Sequence, residues 1–390
     1  MKQVRKTILL IGAAIGLLAG GAAPVFARTF VYVSNAEDGD IDGYAMDGET
    51  GVLTSLGKTK AGKLVMPMTL SPDKRHLYAV VRSKPFTVLT YGIEPQSGKL
   101  DQQASALLPD SMAYVSTDTT GRFLFTASYG GNKIAVSPIE PDGRVEKDAI
   151  QVIPTGENAH SIRTDLSNKF VYATNLGSSQ ILQFKFDAAT GKLTENDPAL
   201  VKTPPGNGPR HMAFSPDNKY LYVVNELSGN VAQFSIDPER GTLSELSYTG
   251  SVPPDSGLQP GLAREAMAVN ANSGANTKVV GDDKPRIWAA DLQMTPNGKF
   301  LYATERTGSK IALLRIAADS GRPIYVANYP TETQPRGIRI DPTGNYLVAC
   351  GEKSDRVSVY RINQTDGTLL QVGRYPVGHD ANWVEIVRLP

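Results

Sequence analysis

The stretch Ser215-Pro216-Asp217-Asn218-Lys219-Tyr220-Leu221-Tyr222 decides the fold, because close copies of it recur along the chain. One such copy is Ser71-Pro72-Asp73-Lys74-Arg75-His76-Leu77-Tyr78. The matching hydrophobic position recurs at steps of 46, 47, 47, 50, 80 and 46 residues: Val31, Leu77, Leu124, Val171, Leu221, Leu301 and Leu347. A period of about 45 to 50 residues with strand-like content indicates a β-propeller or another repeat array.

Residues 208–248 show how one repeat folds. Four short apolar stretches each fit a strand: residues 212–214, 221–224, 231–236 and 243–248. Turn signals rich in Pro, Asp, Asn and Gly separate these stretches. Four antiparallel strands per repeat, without helical periodicity, predict the blade of a β-propeller.

The two ends of the chain predict how the ring of blades closes. The chain enters at a second strand, residues 30–34, and ends with a lone first strand, residues 383–387. The last blade then combines an inner strand from the C-terminus with three strands from the N-terminus. We therefore predict an all-β fold, a seven-bladed β-propeller with four antiparallel strands per blade, over residues 28–390. Closure removes the strand edges that invite aggregation.

Residues 1–27 have the pattern of a secretory signal. Basic residues at positions 2, 5 and 6 precede an apolar run over 8–23, and Val25-Phe26-Ala27 ends in the small residue that signal peptidase needs. An uncleaved anchor is the alternative, but the run is short and rich in Gly and Ala. The pattern favours a cleaved signal peptide and a periplasmic protein, with no membrane contact after cleavage.

Composition narrows the possible partners. Forty basic and thirty-nine acidic residues give no electrostatic case for nucleic acid or anionic membrane. The single cysteine, Cys350, excludes an intrachain disulfide. A closed ring gives no reason to expect more than a monomer. No sequence pattern requires a cofactor.

The 80-residue step marks an insertion at about residues 257–286, rich in Ala, Asn, Gly and Asp. It is predicted to be a long surface loop. Two interpretations remain open: an excursion without function, or a rim element over the channel, since long loops on a rigid scaffold often carry specificity.

Polar side chains concentrate at one mouth of the central channel, where each first strand starts and each second strand ends. The starts of the first strands contribute Met66, Ala113, His160, Arg210, Ala290 and Arg336. The ends of the second strands contribute Ala36, Arg82, Tyr129, Leu176, Glu226, Arg306 and Glu352. Desolvated charge is costly unless it is paired or used. These residues therefore indicate either Arg–Glu pairs that tie blades together or an anion-binding or catalytic mouth.

His211 and Asp291 follow ring positions directly, so strand alternation predicts that their side chains point away from those of the ring. We expect these two side chains to support the ring residues from behind.

The sequence contains only weak signals for a metal site. Asp38, Asp40, Asp42, Gly43 and Glu49 match the calcium-loop pattern D-x-D-x-D-G-x5-E. The segment falls on a turn and a strand without flanking helices, which disfavours calcium. The four histidines are far apart and no Cys/His cluster exists, so no metal site is predicted.

Four stretches of the sequence are far more specific than a generic propeller repeat: Gly208-Pro209-Arg210-His211, Val224-Asn225-Glu226-Leu227, Trp288-Ala289-Ala290-Asp291 and Pro330-Thr331-Glu332-Thr333-Gln334-Pro335-Arg336-Gly337. On these stretches the chain resembles the propeller-type lactonase family, which includes bacterial 6-phosphogluconolactonases and the cycloisomerase 2 family with fungal muconate-lactonising enzymes. The resemblance covers about residues 29–387.

The resemblance implies a carboxylic ester hydrolase that opens a sugar lactone without a metal at the channel mouth. It places the family's proposed active-site residues on His160, Arg210, Glu226 and Arg306. His160 or Glu226 would activate water, and the two arginines would hold the oxyanion or a substrate carboxylate. Arg336, Arg82 and Glu352 are candidate substrate-binding residues.

The substrate stays open at this point. It would be 6-phosphoglucono-1,5-lactone or an unphosphorylated aldonolactone, and an export signal favours the latter. Two other functions are possible: a periplasmic propeller that binds sugar acids or other anions without catalysis, and a muconate-type cycloisomerase.

Overall fold

The structure is a computed structural model that describes residues 27–262 and 284–390. Residues 1–26 of the predicted signal peptide and residues 263–283 of the predicted insertion lie outside the described residues, so both interpretations stay predictions. One 3-10 turn, Pro254–Ser256, is the only helical element in the described part. No helix there has the length and apolar character needed to cross a membrane.

The described chain forms twenty-eight strands. In chain order they are β1 (Arg28–Asn35), β2 (Asp40–Met46), β3 (Leu53–Lys60), β4 (Val65–Leu70), β5 (His76–Val81), β6 (Thr87–Ile93), β7 (Leu100–Leu107), β8 (Tyr114–Thr117), β9 (Phe123–Ser128), β10 (Lys133–Pro138), β11 (Gln151–Pro154), β12 (Ala159–Thr164), β13 (Phe170–Asn175), β14 (Gln180–Asp187), β15 (Lys192–Lys202), β16 (Pro209–Phe214), β17 (Tyr220–Asn225), β18 (Asn230–Ile236), β19 (Leu243–Gly250), β20 (Ala289–Met294), β21 (Phe300–Glu305), β22 (Lys310–Ile316), β23 (Pro323–Pro330), β24 (Pro335–Ile340), β25 (Tyr346–Gly351), β26 (Arg356–Ile362), β27 (Leu369–Pro376) and β28 (Ala381–Leu389).

These strands pair into seven four-stranded antiparallel sheets. Blades 1 to 6 are β4–β7, β8–β11, β12–β15, β16–β19, β20–β23 and β24–β27, and blade 7 is β28 with β1, β2 and β3. Strand β28 pairs with β1 in the register Val31↔Ile386. The prediction of a seven-bladed propeller closed by the C-terminal inner strand is therefore confirmed.

The recurring Ser-Pro-Asp turn has a simple physical basis. In blade 4 the Ser215 hydroxyl donates to the Asp217 carboxylate at 2.6 Å and accepts from the backbone N–H of Tyr220 at 2.9 Å. Asn218 adopts φ +58°, the left-handed conformation that Asn tolerates better than most residues. The turn thus satisfies its own polar groups and links the first strand to the second.

The tyrosine that follows the recurring leucine ties blades together. Tyr222 of blade 4 is fully buried and donates its hydroxyl to the carbonyl of Gly321 in blade 5 at 2.7 Å. Tyr172 and Tyr302 make the same bond to the carbonyls of Gly241 and Gly367. The hydrophobic core lies between blades, so each ring packs while its hydroxyl stays hydrogen-bonded.

The calcium-like segment holds a lysine. The Lys58 ammonium lies 3.4 Å from Asp38, 3.0 Å from Asp40 and 4.0 Å from Asp42. This arrangement balances part of the acidic charge with a side chain of the protein itself. The segment gives no support for a calcium site.

Candidate active site

The channel has two mouths, defined by the direction of the inner strands. The upper mouth lies where the first strand of each blade begins and the second ends, and the lower mouth lies at the Ser-Pro-Asp turns. His160, Arg210 and Arg336 are the second residues of β12, β16 and β24. Glu226, Arg306, Arg82 and Glu352 directly follow β17, β21, β5 and β25. All seven predicted site residues therefore lie at the upper mouth.

A β-bulge changes how the inner strands present their side chains. In blade 4 the register shifts between Pro209 and Met212, and similar shifts occur in blades 1, 3, 5, 6 and 7. A bulge places two residues opposite one on the partner strand, which breaks the alternation of side chains. Arg210 Nη1 and His211 Nε2 consequently lie 3.2 Å apart. His211 thus contacts Arg210 although it also lines, with Asp291, a separate cavity of the channel.

Glu226 joins two arginines from neighbouring blades. Its Oε2 lies 2.8 Å from Arg210 Nε and 2.9 Å from Arg306 Nη2. All three side chains are almost completely buried. Burial, followed by the charge of Arg306, lowers the pKa of Arg210 to about 9, which leaves it charged at neutral pH. The group thus concentrates two positive charges and one negative charge in a desolvated site.

Trp288 orients this group from blade 5. Its indole N–H donates to Glu226 Oε1 at 3.0 Å, and the Arg306 guanidinium carbon lies 3.6 Å from the centre of the Trp288 ring. Arg306 also donates to the backbone carbonyls of Trp288 and Ala289, each at 3.1 Å. A guanidinium stacked on indole and held by two carbonyls has little freedom to reorient.

His160 lies beside this group as a neutral imidazole. Burial is the main cause that lowers its pKa well below 6.5, and the charge of Arg210 adds to it. Its Nδ1 is buried and has no hydrogen-bond partner among the described residues. Its ring packs edge-on against those of Tyr129 and His211, at 5.8 and 5.2 Å between centres. An unprotonated imidazole with an unused nitrogen is suited to accept a proton.

His211 and Asp291 form a hydrogen-bonded pair next to Arg210. His211 Nδ1 lies 2.8 Å from Asp291 Oδ1, and Asp291 also accepts from the backbone N–H groups of Leu292 at 2.8 Å and Ile338 at 3.0 Å. Burial, and then Arg210, lowers the pKa of His211 to about 4, so the ring is neutral. Burial alone would raise the pKa of Asp291, but the bond to His211, the backbone N–H of Ile338 and the charge of Arg339 together outweigh it, and the pKa lies below its usual value.

These bonds fix the tautomer of His211. The carboxylate of Asp291 only accepts, so Nδ1 of His211 carries the proton and Nε2 accepts from Arg210. The pair therefore positions the Arg210 guanidinium, whose Nη1 also donates to the carbonyl of Ala290.

The remaining candidates form a second group across the mouth. Arg336 Nη1 lies 3.1 Å from Glu352 Oε1 within blade 6. Arg82 donates from Nε to Ser111 Oγ at 3.0 Å, and no carboxylate of the described residues lies within 4.0 Å of it. Burial, and then Arg336, lowers the pKa of Arg82 to about 10. Arg336 also lowers the pKa of Arg210 and His160, which shows that the two groups share one electrostatic environment.

Sequence reasoning missed several residues of the mouth. Asp380, in the loop before β28, has its pKa raised to about 6, chiefly by burial and then by Glu352. Asn382 belongs to β28 and completes the ring in blade 7. Its position follows from aligning β28 with the other inner strands, which gives Asn382 the place of Arg210. Trp288 could have been found only from the family motif that contains it.

Metal ligands are not grouped in this site. Within residues 27–262 and 284–390, no three His, Cys, Asp or Glu side chains are arranged to hold a metal ion. The described residues of the site bring together a neutral imidazole and two guanidinium groups.

The family model described as "Lactonase, 7-bladed beta-propeller" matches residues 30–386, nearly the whole described chain. The chain belongs to this family. The prediction of a lactonase-type ester hydrolase is thereby confirmed at the level of the family.

Curated relatives agree with this assignment. The 6-phosphogluconolactonase of Pectobacterium carotovorum subsp. carotovorum is 38% identical over 318 residues, covering 80% of this chain and 84% of that protein. The 6-phosphogluconolactonase of Serratia proteamaculans is 36% identical over 320 residues, covering 80% and 85%. Identity at this level over most of both lactonase chains supports a common fold and a common type of activity.

Among solved structures, the periplasmic gluconolactonase of Pseudomonas aeruginosa superposes on this lactonase with a TM-score of 0.79. The two share 24% identity, and the match covers 94% of this chain and 100% of that one. This comparison supports the propeller fold.

Proposed function

We propose that the protein hydrolyses a sugar lactone to the corresponding aldonic acid at the upper mouth. The observation that carries the proposal is the neutral imidazole of His160, whose Nδ1 has no hydrogen-bond partner among the described residues, next to Arg210 and Arg306, which Glu226 holds together. Water activation and oxyanion stabilisation need these two kinds of group in one desolvated place. Relatives named 6-phosphogluconolactonase support the reaction class.

In this mechanism His160 accepts a proton from water as the water oxygen bonds to the lactone carbonyl carbon. The carbonyl oxygen becomes an oxyanion that Arg210 and Arg306 stabilise. The bond between the carbonyl carbon and the ring oxygen then breaks, and the His160 imidazolium returns the proton to that oxygen. Glu226 is a poorer base because its carboxylate is engaged by two arginines and Trp288. The reaction needs no metal in this scheme.

Arg82, Arg336 and Glu352 are proposed to bind the rest of the substrate. Arg82 is a half-buried cation without a carboxylate partner among the described residues, so a substrate oxyanion or hydroxyl oxygen would meet an available donor. The phosphate group of a lactone 6-phosphate could accept hydrogen bonds from these arginines. The predicted export signal instead favours an unphosphorylated aldonolactone in the periplasm, where the protein would act as a monomer.

A pH-stat assay tests the proposal. Glucono-1,5-lactone and its 6-phosphate are offered in parallel, with spontaneous hydrolysis subtracted. His160→Gln should lower kcat by about 10²- to 10⁴-fold, the usual contribution of a positioned general base. His379→Gln is the matched control, since this histidine is exposed and bonds only to Asp38.

Two results would contradict the proposal. If neither lactone is turned over above background but gluconate binds, the propeller is an anion-binding protein. If cis,cis-muconate is converted to a lactone faster than either sugar lactone is opened, the protein is a cycloisomerase.

A further inference from the structure

The opposite end of the channel contains a cavity that the proposed chemistry does not use. This lower cavity has a volume of about 260 Å³. Every blade contributes to its wall, with Thr69, Tyr114, Arg163, Met212, Asp291, Arg339 and Trp383 from blades 1 to 7 in turn. His211 and Asp291 also line it, so the pair that holds Arg210 separates the lower cavity from the upper mouth.

Two arginines, Arg163 and Arg339, line the wall of the lower cavity. Arg163 donates from Nη1 to the carbonyl of Met212 at 2.9 Å, and no carboxylate of residues 27–262 or 284–390 lies within 4.0 Å of it. Arg339 pairs through Nη2 with Glu385, but its buried Nε has no hydrogen-bond partner in the described chain. Both guanidinium groups act electrostatically on Tyr114.

The acidic groups nearby are already engaged. Asp291 accepts from His211 and from the backbone N–H groups of Leu292 and Ile338. Glu385 accepts from Arg339 and from the Trp383 indole N–H. The buried Nε of Arg339 therefore lacks an acceptor among the described residues, and a buried donor without an acceptor is costly.

The remaining walls indicate the size and shape of a ligand. Tyr114 and Trp383 pack edge-to-face with 5.7 Å between ring centres and give one side of the cavity an aromatic surface. Ser116 and Gln293 add polar groups. The volume is just below the range of about 300 to 1,000 Å³ that is typical of drug-sized ligand sites, so a molecule of hexose size would fill it.

We propose that the lower cavity is a second ligand site, distinct from the upper mouth, which binds a small organic oxyanion of sugar-acid size. Arg163 and Arg339 would hold the oxyanion, and Tyr114 and Trp383 would pack against the carbon skeleton. This inference does not depend on the lactonase proposal.

The two tryptophans of the chain allow each site to be observed separately. Trp383 lines the lower cavity and Trp288 contacts Glu226 in the upper mouth. Full-length Trp288→Phe protein, in which Trp383 is the only tryptophan, is titrated with gluconate, 6-phosphogluconate and inorganic phosphate while its fluorescence is recorded. A saturable change with at least one organic anion is expected. A response to inorganic phosphate alone would indicate a simple anion site and contradict the proposed ligand class.

Substitutions in this background identify the site. Arg163→Gln should weaken binding at least about tenfold, because a hydrogen bond to a charged group is lost. Gln293→Glu should also weaken it, because it adds a repelling carboxylate while it keeps the bond from Arg163 to Met212. Arg144→Gln, an exposed arginine paired with Asp142, is the matched control. Arg306→Gln should leave the titration unchanged, since Arg306 belongs to the upper mouth.

The outcome that overturns the proposal is equally clear. If Trp383 does not respond to any of the three anions, or if folded Arg163→Gln and Gln293→Glu proteins bind as tightly as the parent, the lower cavity holds only solvent. Melting temperatures show whether each variant is folded. If the response disappears in Arg306→Gln, the anion binds at the upper mouth instead.

Discussion

At the scale of single residues, the protonation state of His160 is the property on which the proposed chemistry depends. Its pKa lies well below 6.5 because burial and Arg210 disfavour the imidazolium. The base form therefore persists as pH falls through 6.5, and protonation removes it only at clearly lower pH.

The first prediction follows for a neutral substrate. With glucono-1,5-lactone, kcat/KM should stay level between pH 7.5 and pH 6 and decrease only in more acidic buffer. The measurement is a pH-stat rate profile after subtraction of spontaneous hydrolysis. A decrease centred on pH 6.5, the value of an ordinary solvated histidine, would show that a different group acts as the base.

The second prediction concerns Asp291. Asp291→Asn removes the charge that fixes the tautomer of His211, so Arg210 loses a defined acceptor. We expect kcat for lactone hydrolysis to fall at least about tenfold while KM changes less, because the loss affects transition-state stabilisation. The free energy of unfolding should fall by about 1 to 3 kcal/mol because buried polar groups lose partners.

Steady-state kinetics and urea unfolding measure these two quantities. Asp217→Asn, a substitution at a half-exposed carboxylate of a surface turn, is the control. An unchanged kcat with reduced stability would limit the His211–Asp291 pair to a structural role.

At the scale of strands, the β-bulge explains what sequence reasoning could and could not give. The ring positions of His160, Arg210 and Arg336 follow from the repeat, because each lies five residues before the Ser or Asp that begins a turn. The contact between His211 and Arg210 does not follow from the repeat, because strict alternation assumes a regular strand and the bulge adds one residue. The adjacent polar residues Arg210 and His211 were the available signal, since two consecutive polar side chains in a buried strand are hard to satisfy otherwise.

The third prediction concerns the contact between blades 4 and 5. Glu226→Gln leaves Arg210 and Arg306 buried together without their shared counter-charge. We expect the free energy of unfolding to fall by about 3 kcal/mol, in the range found when one partner of a buried ion pair is removed. Urea unfolding of the variant and of Glu239→Gln, a change at an exposed turn of blade 4, tests this. A loss no larger than that of the control would show that the pair does not stabilise the blades.

The fourth prediction concerns the loop before β28. Asp380 has a pKa of about 6, so it becomes an anion above that pH, close to Arg336. A phosphorylated lactone should then bind less well, and KM for the 6-phosphate should rise as pH increases from 5 to 7. Asp380→Asn should remove this rise. KM for the unphosphorylated lactone should change little in both proteins, and an equal rise for both substrates would contradict the assignment.

At the scale of the whole molecule, the ring of blades was predictable because the same sequence pattern is repeated in every blade. Seven copies of one hydrophobic position and two unmatched strands at the ends determine the number of blades and the closure by β28. The pairing of particular charges was not predictable, because Arg210 and Arg306 are far apart in sequence and meet only through the curvature of the ring. The lower cavity was not predictable for the same reason, since each blade contributes to it.

The fifth prediction tests the closure. Deletion of residues 381–390 exposes the inner edge of β1, and the protein should aggregate. A circular permutant should stay folded if it begins at residue 377 and joins residue 390 to residue 28 by a short linker, because Arg28 and Leu389 are paired neighbours. Size-exclusion chromatography and lactone hydrolysis compare the two. A monomeric, active deletion variant would show that the ring does not need β28.

The position of β28 has a consequence for how the protein matures. Chains grow from the N-terminus, so Asp380, Asn382 and Trp383 leave the ribosome after the other six blades have been made. Neither mouth of the channel has its full set of side chains before that moment. Unfinished chains would thus be unable to act on substrate, and catalytic competence itself becomes a marker that synthesis and sealing are complete.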